Sequence, residues 1–219
     1  MSVDKPAFGA LLLDFDGVLI DSEPIWWAII DEVAQSRQLL AAGGQVERRS
    51  GVRVQDTIAS LVGDDRRLVE ALTREVFVTG EARLAGHPLM EGAAEAIREI
   101  SMAGVVLGLV SSSNSTFLEY VLRANGIREH FSVLVGGDRV ERGKPAPDCY
   151  LLAAREAGVH PSHCCAVEDS PTGILAAVAA GMYVVQFESR PPAADAAVDS
   201  HVQAVVSTFA ALADIVFGR

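Results

Sequence analysis

Four short polar clusters hold the residues whose types and spacing could do chemistry. They are Asp14-Phe15-Asp16-Gly17, Ser111-Ser112-Ser113-Asn114, Gly143-Lys144-Pro145-Ala146-Pro147-Asp148 and Glu168-Asp169-Ser170. Carboxylates gathered at one place repel unless a cation separates them. Hard oxygen ligands with no His or Cys nearby favour magnesium over zinc. Magnesium in turn suggests phosphate, whose oxygens complete its octahedron. The Lys144 ammonium and the Ser111 hydroxyl are further donors for a phosphoryl group. On chemistry alone, phosphoryl transfer at a metal-bound site is the favoured reading.

The elements that must position these clusters follow from the pattern around them. Residues 7–13 form a short, nearly continuous apolar run that stops at Asp14 and reads as a strand buried on both faces. Residues 105–110, 133–135, 164–167 and 183–187 read the same way. Amphipathic stretches of helical length lie between them, at 93–102, 116–125, 148–157 and 173–180, with Gly104, Gly126, Gly158 and Gly181 at the expected stops. Strand alternating with helix predicts an α/β fold: parallel strands joined by right-handed crossovers in a doubly wound sheet. Such sheets bind ligands at the carboxyl ends of their strands, so the four clusters converge on one rim. Residues 22–86 break the pattern. Their periodicity is helical over 24–40, 54–62 and 66–84, which predicts an all-helical insertion after the first strand. Residues 191–197 read as a loop followed by a weak helix at best.

Composition sets outer bounds. The 219 residues carry a net charge of −11, which disfavours nucleic acid and anionic lipid as partners but leaves a small phosphorylated metabolite compatible. The three cysteines, Cys149, Cys164 and Cys165, are odd in number, two are adjacent, and no zinc-like spacing occurs, so a disulfide framework is not expected. His163-Cys164-Cys165 invites a metal reading, but neighbours on a strand point to opposite faces. The residues before the first strand are polar, the apolar run at 10–13 is too short for a signal segment, and no apolar run approaches the roughly 18 residues of a membrane span. A cytoplasmic monomer is expected.

Asp14-x-Asp16, Ser111 after a strand, Lys144-Pro145 and Glu168-Asp169, in that order, resemble the four motifs of the haloacid dehalogenase (HAD) superfamily. The resemblance covers essentially the whole chain. The stretch Asp14-Phe15-Asp16-Gly17-Val18-Leu19-Ile20-Asp21-Ser22-Glu23-Pro24 is similar to a subgroup of sugar-phosphate phosphatases, phosphoglycolate phosphatases and β-phosphoglucomutases. The resemblance implies a Rossmann-like catalytic core of residues 1–21 and 87–219 with a cap domain at 22–86. It implies that Asp14 is the nucleophile forming an aspartyl-phosphate and that Asp16 is the acid and then the base. Mg2+ would be held by the Asp14 carboxylate, the Asp16 main-chain carbonyl and Asp169, with Glu168 nearby or acting through water. Ser111 and Lys144 would hold phosphoryl oxygens, with Lys144 also balancing the charge of Asp14, and the Ser112 and Ser113 amides could add donors. Asn114 could instead be a helix N-cap. Arg53 and Trp26 are candidate substrate contacts on the cap.

Dehalogenases of this superfamily lack the second acid, so Asp16 favours phosphoryl transfer. Phosphonate cleavage would need a cap lysine, and residues 22–86 contain none. The expected activity is hydrolysis of a small phosphate monoester, with a sugar phosphate as the expected substrate. A β-phosphoglucomutase-type isomerase is the alternative, and a non-catalytic phospho-ligand module stands third. In mutases of this type a histidine on the first cap helix gates the second acid. Trp26 occupies the matching position here, and no His lies between Gly17 and Gly86, which argues for hydrolysis.

Overall fold

The computed structural model describes residues 7–41, 43–48, 52, 54–84, 86–188 and 201–219. Six strands form one parallel sheet: β1 (Ala10–Leu13), β2 (Val106–Val110), β3 (Phe131–Val135), β4 (Cys164–Glu168), β5 (Tyr183–Phe187) and β6 (Ala204–Val206). Their order across the sheet is β3-β2-β1-β4-β5-β6, with the first strand of the chain near the centre. This is the α/β, Rossmann-like sheet expected from the alternating pattern.

Alternation along β1 explains how the sheet is covered. Leu11 and Leu13 face a core shared with α4 (Ala93–Met102), α5 (Ser115–Ala124) and α8 (Phe209–Phe217), whereas Ala10 and Leu12 face α6 (Asp148–Ala157) and α7 (Pro171–Ala179). Cys164 and Cys165 divide between the same two faces, so they do not converge on a shared ion. The helical insertion consists of α1 (Glu23–Ser36), α2 (Val54–Val62) and α3 (Arg66–Leu84), and α3 packs against both of its neighbours. The buried apolar side chains of all three helices belong to the same cluster as Leu11 and Leu13, so the insertion continues the core on that side.

Several boundaries differ from expectation by a few residues, β3 for example beginning at Phe131 rather than 133. The first strand begins at Ala10 rather than Ala7, because Ala7 and Gly9 donate instead to the carbonyls of Val216 and His163. Helix α1 stops at Ser36, four residues before Leu40, where Gln38 takes a left-handed conformation (φ 58°) although it is not glycine. Strand β6 and helix α8 extend the fold beyond the five-strand pattern. The loop read at 191–197 and the candidate Arg53 lie outside the described residues.

Candidate active site

Register places the first cluster. Leu13 pairs with Leu109 on one side and Val167 on the other, so Asp14 leaves the sheet level with Val110 and Glu168. Its amide still donates to the Val167 carbonyl at 2.9 Å, which holds the backbone in line while the carboxylate stands clear of the ladder. Lys144, arriving from the loop before α6, donates from Nζ to Asp14 Oδ1 (2.9 Å) and to the Val110 carbonyl (3.1 Å), and it is ion-paired with Glu168. Glu168 is fully buried. Its other bonds come from the Tyr150 hydroxyl (2.7 Å) and the Ser170 hydroxyl (3.2 Å). A buried carboxylate is tolerated only when paired and hydrogen-bonded, and Glu168 is both.

Asp169, next along the chain, faces the opposite way from Glu168 and meets the turn after β1. Gly17 has φ 79°, and a methyl group there would overlap the Asp169 carboxylate, so the close approach depends on glycine. Carboxylate oxygens of Asp14, Glu168 and Asp169 lie within 4.8 Å of one another. Burial, opposed by Lys144 but reinforced by Glu168 and Asp16, pushes the Asp14 carboxyl up to about 8. Burial, reinforced by Asp14 and Glu168, pushes Asp169 up to about 9, with Lys144 pulling the other way. Burial would strip the proton from Lys144, but Asp14 and Glu168 overcome it and hold the ammonium charged. One ammonium therefore faces three clustered carboxylates. The all-oxygen donor set and the surplus negative charge fit a hard divalent cation.

Asp16 is held apart from this cluster. Its Oδ1 accepts from the Ser22 hydroxyl and from the Trp26 indole N–H (2.9 Å), both from the start of the insertion. Its Oδ2 lies 3.4 and 3.3 Å from the hydroxyls of Ser111 and Ser113. The side chain is thus turned away from the acidic cluster, which leaves only a main-chain group of Asp16 for the metal contact read from the sequence. Ser111 is buried and its Oγ accepts from the Ser113 amide at 3.0 Å; Ser112 lines the cavity described below. Asn114 is the N-cap of α5, accepting from the Phe117 amide at 2.9 Å, and the Ser115 amide is taken by Asp138 at 2.7 Å.

A cavity of about 260 Å³ lies between the rim and the insertion, with Asp14, Asp16, Lys144 and Asp169 on its floor and Trp27, Thr73 and Phe77 in its wall. Trp26 is nearly buried. Its rings meet Phe77 and Phe117 edge-on (5.7 and 5.5 Å), and it fills a notch at Gly80 where a methyl group would collide with the indole. The structure therefore brings Asp14, Lys144, Glu168 and Asp169 together and sets Asp16, Ser111, Ser112 and Trp26 beside them. Ser22 and Tyr150 were not read from the sequence as parts of the site. Tyr150 carried a usable signal: a phenol among alanines on the buried face of α6 needs a hydrogen-bond partner.

Known proteins resemble this chain in sequence and in fold. The family profile described as haloacid dehalogenase-like hydrolase matches residues 8–181. Hexitol phosphatase B of Escherichia coli (strain K12) is 32% identical over 188 residues, covering 79% of this chain and 80% of the relative. β-Phosphoglucomutase of Bacillus subtilis (strain 168) is 26% identical over 193 residues, 84% of either chain. Among solved structures, CbbY from Rhodobacter sphaeroides in complex with phosphate superposes with a TM-score of 0.80 at 26% identity, covering 94% of this chain and 96% of that one.

Proposed function

The chain belongs to the haloacid dehalogenase-like hydrolases and is a phosphoric monoester hydrolase of the sugar-phosphate type, and on that premise we propose that it is a magnesium-dependent phosphatase working through an aspartyl-phosphate on Asp14. The observation that carries the reading is the position of Lys144, whose ammonium joins Asp14 to Glu168 beneath the cavity, with Asp169 alongside.

An oxygen of Asp14 attacks phosphorus as the ester P–O bond breaks, and Asp16 gives the leaving oxygen its proton. Water then attacks phosphorus, Asp16 takes the water's proton, and the acyl-phosphate bond breaks to free Asp14 and inorganic phosphate. Lys144, the Ser111 hydroxyl and the Ser112 amide hold the phosphoryl oxygens. Asp14, Asp169 and the Asp16 carbonyl would hold Mg2+, with Glu168 directly or through water. When bound, the ion neutralises charge on the phosphoryl oxygens. We read residues 22–86 as the cap that closes over the ester and the remainder as the catalytic core, with Trp26 and Arg53 as cap candidates for contact with the leaving group.

Hydrolysis is favoured over mutase chemistry by Trp26. Where a mutase of this type carries histidine, this chain carries an indole that donates to the acid. Two features support a cytoplasmic setting. Cys149, Cys164 and Cys165 are free and buried, and among the described residues no helix is long and apolar enough to cross a membrane. We take the protein to act as a monomer.

Asp14→Asn tests the mechanism. With magnesium present, kcat should fall by at least about 10⁴-fold while the far-UV circular dichroism is unchanged. Full activity in that variant sinks the assignment. Phosphate release across a panel of sugar phosphates separates a hydrolase from a mutase, which would instead interconvert glucose phosphates and need a bisphosphate primer.

A further inference from the structure

Helix α3 contains two threonines whose hydroxyls behave differently. Thr79 donates to the Glu75 carbonyl one turn back (2.9 Å), the usual outlet for a hydroxyl inside a helix. Thr73 does not. Its Oγ1 is closed off from solvent and has no hydrogen-bond partner, one of two such side-chain atoms among the described residues. A buried polar atom without a partner is rare and calls for an explanation.

Location supplies one. Thr73, Phe77 and Gly80 stand at i, i+4 and i+7 and so share one stripe of the helix. At the far end of the stripe Gly80 receives the indole of Trp26, and in the middle Phe77 packs on that indole. The indole N–H in turn reaches Asp16, the proposed acid on the leaving oxygen. Thr73 is one turn beyond Phe77, about 6 Å farther along the axis. There the cavity over Asp14 meets a shallower cleft lined by Gln55, Glu70, Arg74 and Asn114, and Thr73 lines both. Thr73 thus borders the space left for the part of the substrate remote from the breaking bond, and a turn about its χ1, which has two wells for threonine in a helix, is what brings the unmet hydroxyl to that space. Its surroundings combine aromatic faces at Trp27 and Phe77 with the polar groups of Gln55, Thr57 and Asn114. Such a wall suits a chain of C–H and O–H groups.

We propose that Thr73 is a specificity-determining residue whose hydroxyl bonds a hydroxyl of a polyol leaving group, remote from the ester oxygen. This assignment rests on the sugar-phosphate reading above. It predicts that the site separates a hydroxylated chain from a bare one by a single hydrogen bond on α3.

The test compares kcat/KM for sorbitol 6-phosphate and for n-hexyl phosphate, two esters of matched chain length. The ratio is measured in the wild type, in Thr73→Val, which keeps the shape and removes the hydroxyl, and in Thr73→Ser, which keeps the hydroxyl. The ratio should fall about tenfold in Thr73→Val and recover in Thr73→Ser. A wild type that prefers the sorbitol ester while Thr73→Val leaves the ratio unmoved overturns the assignment alone. So does a Thr73→Ser variant that falls as far as Thr73→Val, since the methyl group would then be what matters. A wild type indifferent between the two esters overturns the polyol reading and the assignment together.

Discussion

The end of β1 and the inner stripe of α3 face each other across one cavity and are finished to different degrees. Around Lys144, the hydrogen-bonding groups are already matched: Asp14 and Val110 accept from the ammonium, and Glu168 takes bonds from Lys144, Tyr150 and Ser170. What this region has in surplus is negative charge. On α3, a buried hydroxyl has no partner at all. The contrast follows from what each side must meet. A phosphoryl group has the same shape and charge in every ester, so its site can be fixed before the ligand arrives, which removes reorganisation from the reaction. The leaving group varies, and a wall that recognises it must keep unmet capacity that only the right molecule fills.

Four substitutions break or sharpen that contrast. Lys144→Met should be the most damaging, because it leaves the Glu168 carboxylate buried with no cation. A loss of about 3–5 kcal/mol in urea unfolding of the metal-free protein is expected, and a change below about 1 kcal/mol would mean that the ion pair does not organise the region. Asp169→Asn acts through pH. Because the folded Asp169 carboxyl is raised to about 9 from an ordinary value near 4, the folded state holds a proton that the unfolded state has released. Its contribution is therefore complete below pH 4 and is lost as pH climbs towards 9. Without metal, the wild type should lose on the order of 2 kcal/mol relative to Asp169→Asn between pH 6 and 8. Adding magnesium should flatten that difference, and parallel stability curves in EDTA would contradict the surplus charge.

Tyr150→Phe removes one donor from Glu168 and should cost about 1.5 kcal/mol, read as a lower urea midpoint at unchanged m-value. Thr73→Val should have the smallest effect and the opposite sign. Removing an orphaned hydroxyl leaves no partner stranded, so the free protein should be as stable or up to about 1 kcal/mol more stable. A clear loss there would mean that the hydroxyl has a structural bond and that the two walls are alike.

Sequence alone reached the first wall much further than the second. Asp14, Ser111 and Glu168 each end or follow an apolar run, and parallel pairing makes the ends of such runs neighbours whatever the loops do between them. Helices α2, α3, α4 and α6 run between the residues expected from their periodicity, because one apolar stripe per helix is enough to define them. Elements without such a stripe were lost. Strand β6 has three residues, too few to alternate visibly, and α8 (Phe-Ala-Ala-Leu-Ala-Asp-Ile-Val-Phe) is apolar nearly all round, so its period does not show. The partners of Asp16 and Glu168 are another kind of loss. Ser22 precedes a helix like any N-terminal serine, and Tyr150 reads as core. Which acid each one meets depends on how the insertion and α6 sit against the sheet, and local sequence does not encode that. Thr73 is the extreme case, visible only as a bond that is not made.

The central place of β1 also governs when the protein can first work. Its two neighbours begin at Val106 and Cys164, and the bond from Lys144 to Asp14 spans 130 residues. During synthesis the Ala10–Leu13 segment emerges before either neighbour and waits for the helical insertion and much of the core to follow. Until then its apolar side chains and backbone groups have neither neighbouring strand. Contacts this distant in sequence form slowly, because loop-closure entropy must be met before they contribute. No amino-terminal fragment ending before β4 can place Glu168 and Asp169 beside Asp14, so activity should arrive late and all at once. Recovery of turnover after dilution from urea therefore reports on docking of β1 between β2 and β4 rather than on formation of the helices.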